Sequence, residues 1–272
     1  MISELITRDD ISRFCKLNGV EEVELFIDRI DDNGNTSLNL AGCNVIRLGL
    51  VDKSRQLNDR DIYAISSNVK RLSSFKIRGG QFSCKAIGSL SRLNNLHDLV
   101  IDTQGISENE LQTEKTNFDN LKTLTIITLT SLEKGSLDFI KNMPNIESVR
   151  IISQSTISAD SLSFLGNAVS LKYLTIRSVK TELPPIGLLV NLKKLDISGG
   201  DFKKIPHEIV LLHNLEFLHI DNNKLTDETI DDIIKSTNEL KNLRTISLKN
   251  NSFSEEGIKK LHQLESVRIV LD

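Results

Sequence analysis

Histidine, cysteine and paired glycine are the residues of this 272-residue chain whose chemistry is tested first. The five histidines (His97, His207, His213, His219 and His262) show no His-x-x-x-His spacing, and Cys15, Cys43 and Cys84 form no Cys-x-x-Cys pair. A zinc ion needs ligands that converge from such spacings, so no metal site is expected. Gly79-Gly80 and Gly199-Gly200 are each followed by an aromatic two residues on, where a phosphate loop would carry Gly-Lys-Ser/Thr. They read as turns after strands. His219 and Asp221 should project from one strand face, an arrangement able to orient an imidazole for proton transfer. No nucleophile is fixed beside them, and Asp231-Asp232 reads as a solvated helix face. The expectation is a non-enzyme with no cofactor and no metal.

What positions every other side chain is a repeat. An apolar residue, two others, an apolar residue, one other and an apolar residue recur eleven times, as in Leu72-x-x-Phe75-x-Ile77, Leu121-x-x-Leu124-x-Ile126 and Leu192-x-x-Leu195-x-Ile197. The rows begin at Val20, Val45, Leu72, Leu96, Leu121, Ile146, Leu171, Leu192, Leu215, Leu243 and Leu264, in steps of 21 to 28 residues. Asn95, Asn120, Asn145, Asn191, Asn214 and Asn242 each stand directly before the first apolar residue of a row, which holds the register. The phrase resembles the leucine-rich repeat, and a fixed period makes a fold a stack of one supersecondary unit. The resemblance implies an α/β architecture: a right-handed leucine-rich repeat solenoid, or horseshoe, of about eleven rows. It should carry a concave parallel sheet and a convex side of mixed helices and extended turns.

Strand periodicity supplies the mechanics, since alternate residues of a short strand point to opposite sides. The remaining residues of each row climb back over the core. Asn58-Asp59 opens the helical pattern Ile62, Ile65, Val69; Ser107-x-x-Glu110 reads as a capping box. Thr226 leads into Ile230, Ile233 and Ile234, and Ser254 into Ile258 and Leu261. Pro184-Pro185 and Pro206 fall in short rows and disfavour a regular helix there. The ninth position of the repeat, usually Asn or Cys, is Asn223 and Asn251 in two rows. Gly80 and Gly200 replace it, and Leu129 and Val179 break it.

Two segments are expected: residues 1–19 as an N-terminal helix, a partial repeat or cap, and residues 20–272 as the repeat domain. In the first, Thr7 caps a helix with Asp9 and Asp10 in its first turn and Ile11, Phe14, Cys15 and Leu17 on one face. The last row, Leu264-x-x-Val267-x-Ile269, ends the chain on an uncapped strand. The chain is therefore read as a segment of a larger protein, with self-association through that edge as the other outcome.

Composition narrows the partner. Net charge is −3, from 34 basic and 37 acidic residues, which excludes a globally basic nucleic-acid binder. No apolar run reaches the length of a membrane helix and no signal peptide opens the sequence, so no membrane is expected. An odd, unpaired set of cysteines points to the reducing cytoplasm, against which stand two short sequons, Asn35-Thr36-Ser37 and Asn250-Asn251-Ser252.

The fifth and seventh repeat positions should face the concave side. There Ile127 and Ile152 fall on neighbouring strands, bordered by Arg150, Arg177 and Tyr173, with Lys76, Arg78 and Val100 at one flank. An apolar centre rimmed by Arg and Tyr is the composition of a protein-binding hot spot. The partner expected is a protein.

Residues 215–230, from Leu215-Glu216-Phe217-Leu218, and residues 243–258, from Leu243-Arg244-Thr245-Ile246, are similar to ribonuclease-inhibitor-type repeats. Such repeats occur at the C-terminus of NOD-like immune receptors. Ile205-Pro206-His207-Glu208-Ile209 instead resembles the shorter repeats of plant resistance proteins and bacterial effectors. The first resemblance implies the sensing or autoinhibitory domain of a cytosolic innate-immune receptor, without the nucleotide-binding module. A bacterial effector that binds a host protein and an adaptor for a ubiquitin ligase remain open, though residues 1–19 are short for an adaptor's helical segment.

Overall fold

A computed structural model describes residues 8–17, 19, 21–27, 38, 40–53, 55–107, 117–140, 143–179, 183 and 186–271. Within them an eleven-stranded parallel sheet runs in sequence order. Its strands are Glu22–Ile27, Arg47–Asp52, Ser74–Arg78, Asp98–Thr103, Thr123–Thr128, Ser148–Ile157, Tyr173–Val179, Lys194–Asp196, Phe217–His219, Thr245–Ser247 and Arg268–Val270. Each strand belongs to one row, and the fold is the α/β leucine-rich repeat solenoid. The expectations at Thr7, Val20, Asn35-Thr36-Ser37, Glu110 and Pro184-Pro185, and on the side chains of Asp9, Phe14 and Phe26, lie outside the described residues.

Register follows the sequence through ten rows. Phe75, Leu99, Leu124, Val149, Leu174, Leu195, Leu218 and Ile246 pair in succession and all point into the core. The eleventh row departs. Ile246 pairs with Ile269, not Val267, and the Arg268 amide donates to the Arg244 carbonyl. The row is therefore Ser266-x-x-Ile269-x-Leu271, two residues later than the apolar phrase suggests, and Arg268 and Val270 move to the third and fifth positions. The turn after the helix Glu255–Leu261 consumes the extra residues: His262 N–H bonds to the Ile258 carbonyl and Leu264 N–H to that of Leu261.

The returns match their caps. Asn58 closes a capping box with Asp61 on the helix Asp59–Asn68, and Ser254 Oγ accepts from Gly257 N–H at 3.1 Å. Thr226 starts a 3-10 turn, Asp227–Thr229, before the helix Ile230–Glu239, but its side chain makes no cap. After Pro206 the return is the 3-10 turn His207–Leu211. At the N-terminal end the helix Arg8–Phe14 buries Ile11, and Cys15 follows it into the core. Leu17, expected on the same face, lies beyond the helix and is exposed.

Side chains pin row to row on both sides of each strand. Six Asn residues that precede a row donate from Nδ2 to a carbonyl of the row before: Asn95 to Lys70, Asn120 to Asn94, Asn145 to Asp119, Asn191 to Val169, Asn214 to Val190 and Asn242 to His213. After the strand, Asn223 Nδ2 donates to the carbonyls of Ile197, Ile220 and Asp221, while its Oδ1 accepts from Phe202 N–H. Asn251 repeats this on Ile220, Leu248 and Leu225 N–H. Four rows lacking that Asn use a hydroxyl one position earlier: Thr103 Oγ1 on Gly80, Thr128 Oγ1 on Gln104, Ser153 Oγ on Thr130 and Ser178 Oγ on Ser153. Buried backbone carbonyls need a donor, and either residue type supplies one.

Candidate protein-binding face

The sheet face turned away from the core carries all eight residues singled out from sequence. Register aligns them in lines across the strands. One line runs Arg78, Asp102, Ile127, Ile152, Arg177; a second runs Lys76, Val100, Thr125, Arg150, Thr175. A third line passes through Ser148, Tyr173, Lys194 and Phe217. Ile127 and Ile152 are directly paired and half-buried, and Val100 is half-buried at the flank. Tyr173 is exposed at 46 %, and Arg150 and Arg177 are exposed.

Three of the four cations are neutralised within the face. Lys76 Nζ lies 3.8 Å from Glu24, Arg78 Nε bonds Asp102 at 2.7 Å, and Arg177 Nη2 bonds Asp196 at 2.9 Å. Among the described residues Arg150 has no such partner. Asp196 is 4 % exposed and accepts from Ser198 N–H at 3.1 Å as well as from Arg177. Burial pushes its carboxyl upward, but the bonds from Ser198 and Arg177 outweigh it and hold the group below the usual carboxylate range.

Asp221 is engaged away from His219. Asp221 Oδ1 accepts from Ser247 Oγ at 2.6 Å and Lys249 N–H at 2.8 Å, and among the described residues no hydrogen bond joins it to His219. Burial, reinforced by Lys194, lowers the imidazole below its ordinary value, so it is neutral at neutral pH.

Sequence reasoning missed three features. Phe217 is exposed beside Lys194 in the line that runs through Tyr173. The second repeat position carries an ion ladder: Glu147 lies 3.9 Å from Lys122 and 2.8 Å from Lys172, and Glu216 lies 3.6 Å from Lys193 and 3.4 Å from Arg244. Reading that column down the rows would have revealed it. Cys15 and Cys43 meet in the core, where the Cys15 thiol hydrogen-bonds Cys43; this raises Cys15 and lowers Cys43 to about 7. Their spacing of 28 residues carries no motif.

Among the described residues no group of His, Cys, Asp and Glu could hold a metal ion, and no helix is long and apolar enough to cross a membrane. A cleft of about 580 Å³ lies between Leu183, Phe202, Lys203, Ile205 and Glu208, and none of its lining residues belongs to a strand of the sheet.

The leucine-rich repeat region family matches residues 137–272. No curated protein matches the sequence. In fold, the chain is similar to an internalin (inlF) from Listeria monocytogenes str. 4b F2365, with a TM-score of 0.52 and 17 % identity over 98 % of this chain and 83 % of that one. An internalin C2 (inlC2) from the same strain aligns with a TM-score of 0.46 and 16 % identity, over 98 % and 84 %.

Proposed function

Because this chain belongs to the leucine-rich repeat region family, we propose that it is a non-enzymatic protein-interaction scaffold whose partner docks on the middle of the concave face. The observation that carries this is the direct pairing of Ile127 with Ile152, rimmed by Arg150, Arg177 and Tyr173. Strands held by continuous ladders present these side chains with little ordering cost on binding. Apolar surface beside Arg and Tyr supplies packing and hydrogen bonding together.

The finer assignment is the sensing or autoinhibitory domain of a cytosolic innate-immune receptor, with residues 1–19 as a cap. It is supported by the two C-terminal rows, where strand, carbonyl-bonded Asn and helix follow one another as in the repeats they resemble. A second reading, a bacterial effector that binds a host protein, is favoured by the 3-10 return after Pro206.

Ile152→Asp tests the docking face. It places a charge in the apolar centre while leaving register and core untouched. Proteins co-purifying with the wild-type chain from cell extract should be lost, with the thermal midpoint little changed. If they persist with Ile152→Asp but are lost when the convex helix carries Asp231→Arg and Asp232→Arg, the concave reading fails.

A further inference from the structure

Resting on that concave-face reading, we infer that the docked segment is acidic, with one carboxylate for Arg150 and one for Lys194 on either side of an apolar side chain seated by Tyr173. The face selects for charge because most of its ions are already satisfied internally. Lys76, Arg78 and Arg177 face Glu24, Asp102 and Asp196. The two carboxylates nearest the aromatic line are likewise occupied, Asp196 by Arg177 and Ser198, Asp221 by Ser247 and the Lys249 amide. Among the described residues Arg150 and Lys194 have no ion-pair partner. Arg150 is in register only with Thr125 and Thr175, and Lys194 with Tyr173 and Phe217. A chain of net charge −3 thus leaves positive charge unspent at the centre of this face.

Sheet geometry turns the two cations into a ruler. They stand two strands and two residues apart, and spacings of ~4.8 Å between strands and ~3.3 Å between residues put their backbones about 12 Å apart. In an extended segment, residues four apart on one face are separated by about 13 Å, and the residue midway points the same way. Tyr173 lies beside the midpoint of the diagonal. The recognised pattern is therefore acidic, any, apolar, any, acidic. Two isolated cations with apolar surface between them fit carboxylates on a peptide better than a continuous row of phosphates, which draws on many cations in file.

The probe is a displayed library of random-sequence dodecapeptides, selected on the immobilised full chain. Enriched peptides should share two Asp or Glu four residues apart around an apolar residue. Each should bind Arg150→Glu and Lys194→Glu at least about tenfold more weakly, about 1.4 kcal/mol per site. Both substitutions are at solvent-accessible positions, and circular dichroism with an unchanged thermal midpoint verifies the fold. Peptides that lack the acidic pattern, or bind the charge-reversed variants as tightly as the wild type, overturn the inference, as does a pool with no enrichment. If those same peptides are still lost on Ile152→Asp, the concave docking face survives without the acidic partner. If they ignore all three substitutions, both readings fall.

Discussion

Asp196 shows how a side chain of this face is maintained. Its carboxylate is nearly sealed from water, a costly position for a charge without donors. Arg177 and Ser198 provide them, and the net effect holds its pKa below the ordinary 3.8. A carboxylate depressed on folding contributes stability that is complete above the unfolded value and is lost as pH falls through the folded one. Asp196→Asn should therefore lower the thermal midpoint at pH 7, and the gap to the wild type should close below about pH 3.8. Thermal melts from pH 2 to pH 7 measure this; a constant gap would mean that shape alone, not charge, holds Arg177. The sequence placed Arg177 on the right face but not in an ion pair. Partner choice runs diagonally across two strands, which a column-by-column reading does not follow.

At the scale of the row, pinning side chains decide how much of the fold was legible. Ten rows could be read because the apolar phrase recurs in register, and in most of them a preceding Asn agrees with it. The structure gives that Asn a purpose, as a donor to the carbonyl of the row before. The eleventh row could not be read this way. A strand side chain repeats its facing every two residues, so a slip of two leaves the apolar alternation intact and invisible. Only the length of the turn after Leu261 fixes it. The hydroxyl ladder was equally hidden, since Thr and Ser are ordinary strand residues until their carbonyl partners are seen. Asn223, buried and bonded to three carbonyls and one amide, anchors the C-terminal half. Truncating it strands several of those groups, each costing ~1–3 kcal/mol when left unsatisfied. Asn223→Ala should accordingly destabilise by at least about 2 kcal/mol in urea denaturation. A loss under about 0.5 kcal/mol would show that water replaces the ladder.

Across the molecule, strand order equals sequence order, so each row's sheet bonds go to the rows before and after it. Among the described residues no strand of the main sheet is inserted between distant ones. A stack built this way behaves as a linear array of couplings rather than a single all-or-none core. Held by its ends and stretched, it should come apart as a zipper does, tooth by tooth. Each tooth frees one step of 21 to 28 residues. At up to ~3.6 Å per residue that is about 75–100 Å of slack. Optical-tweezer traces should show a staircase with that tread length, and the teeth carrying Asn223 and Asn251 should yield at the highest loads. One large rip would reveal a clamp between distant rows. Under tension such a scaffold lengthens one row at a time instead of losing the whole sheet face in a single event.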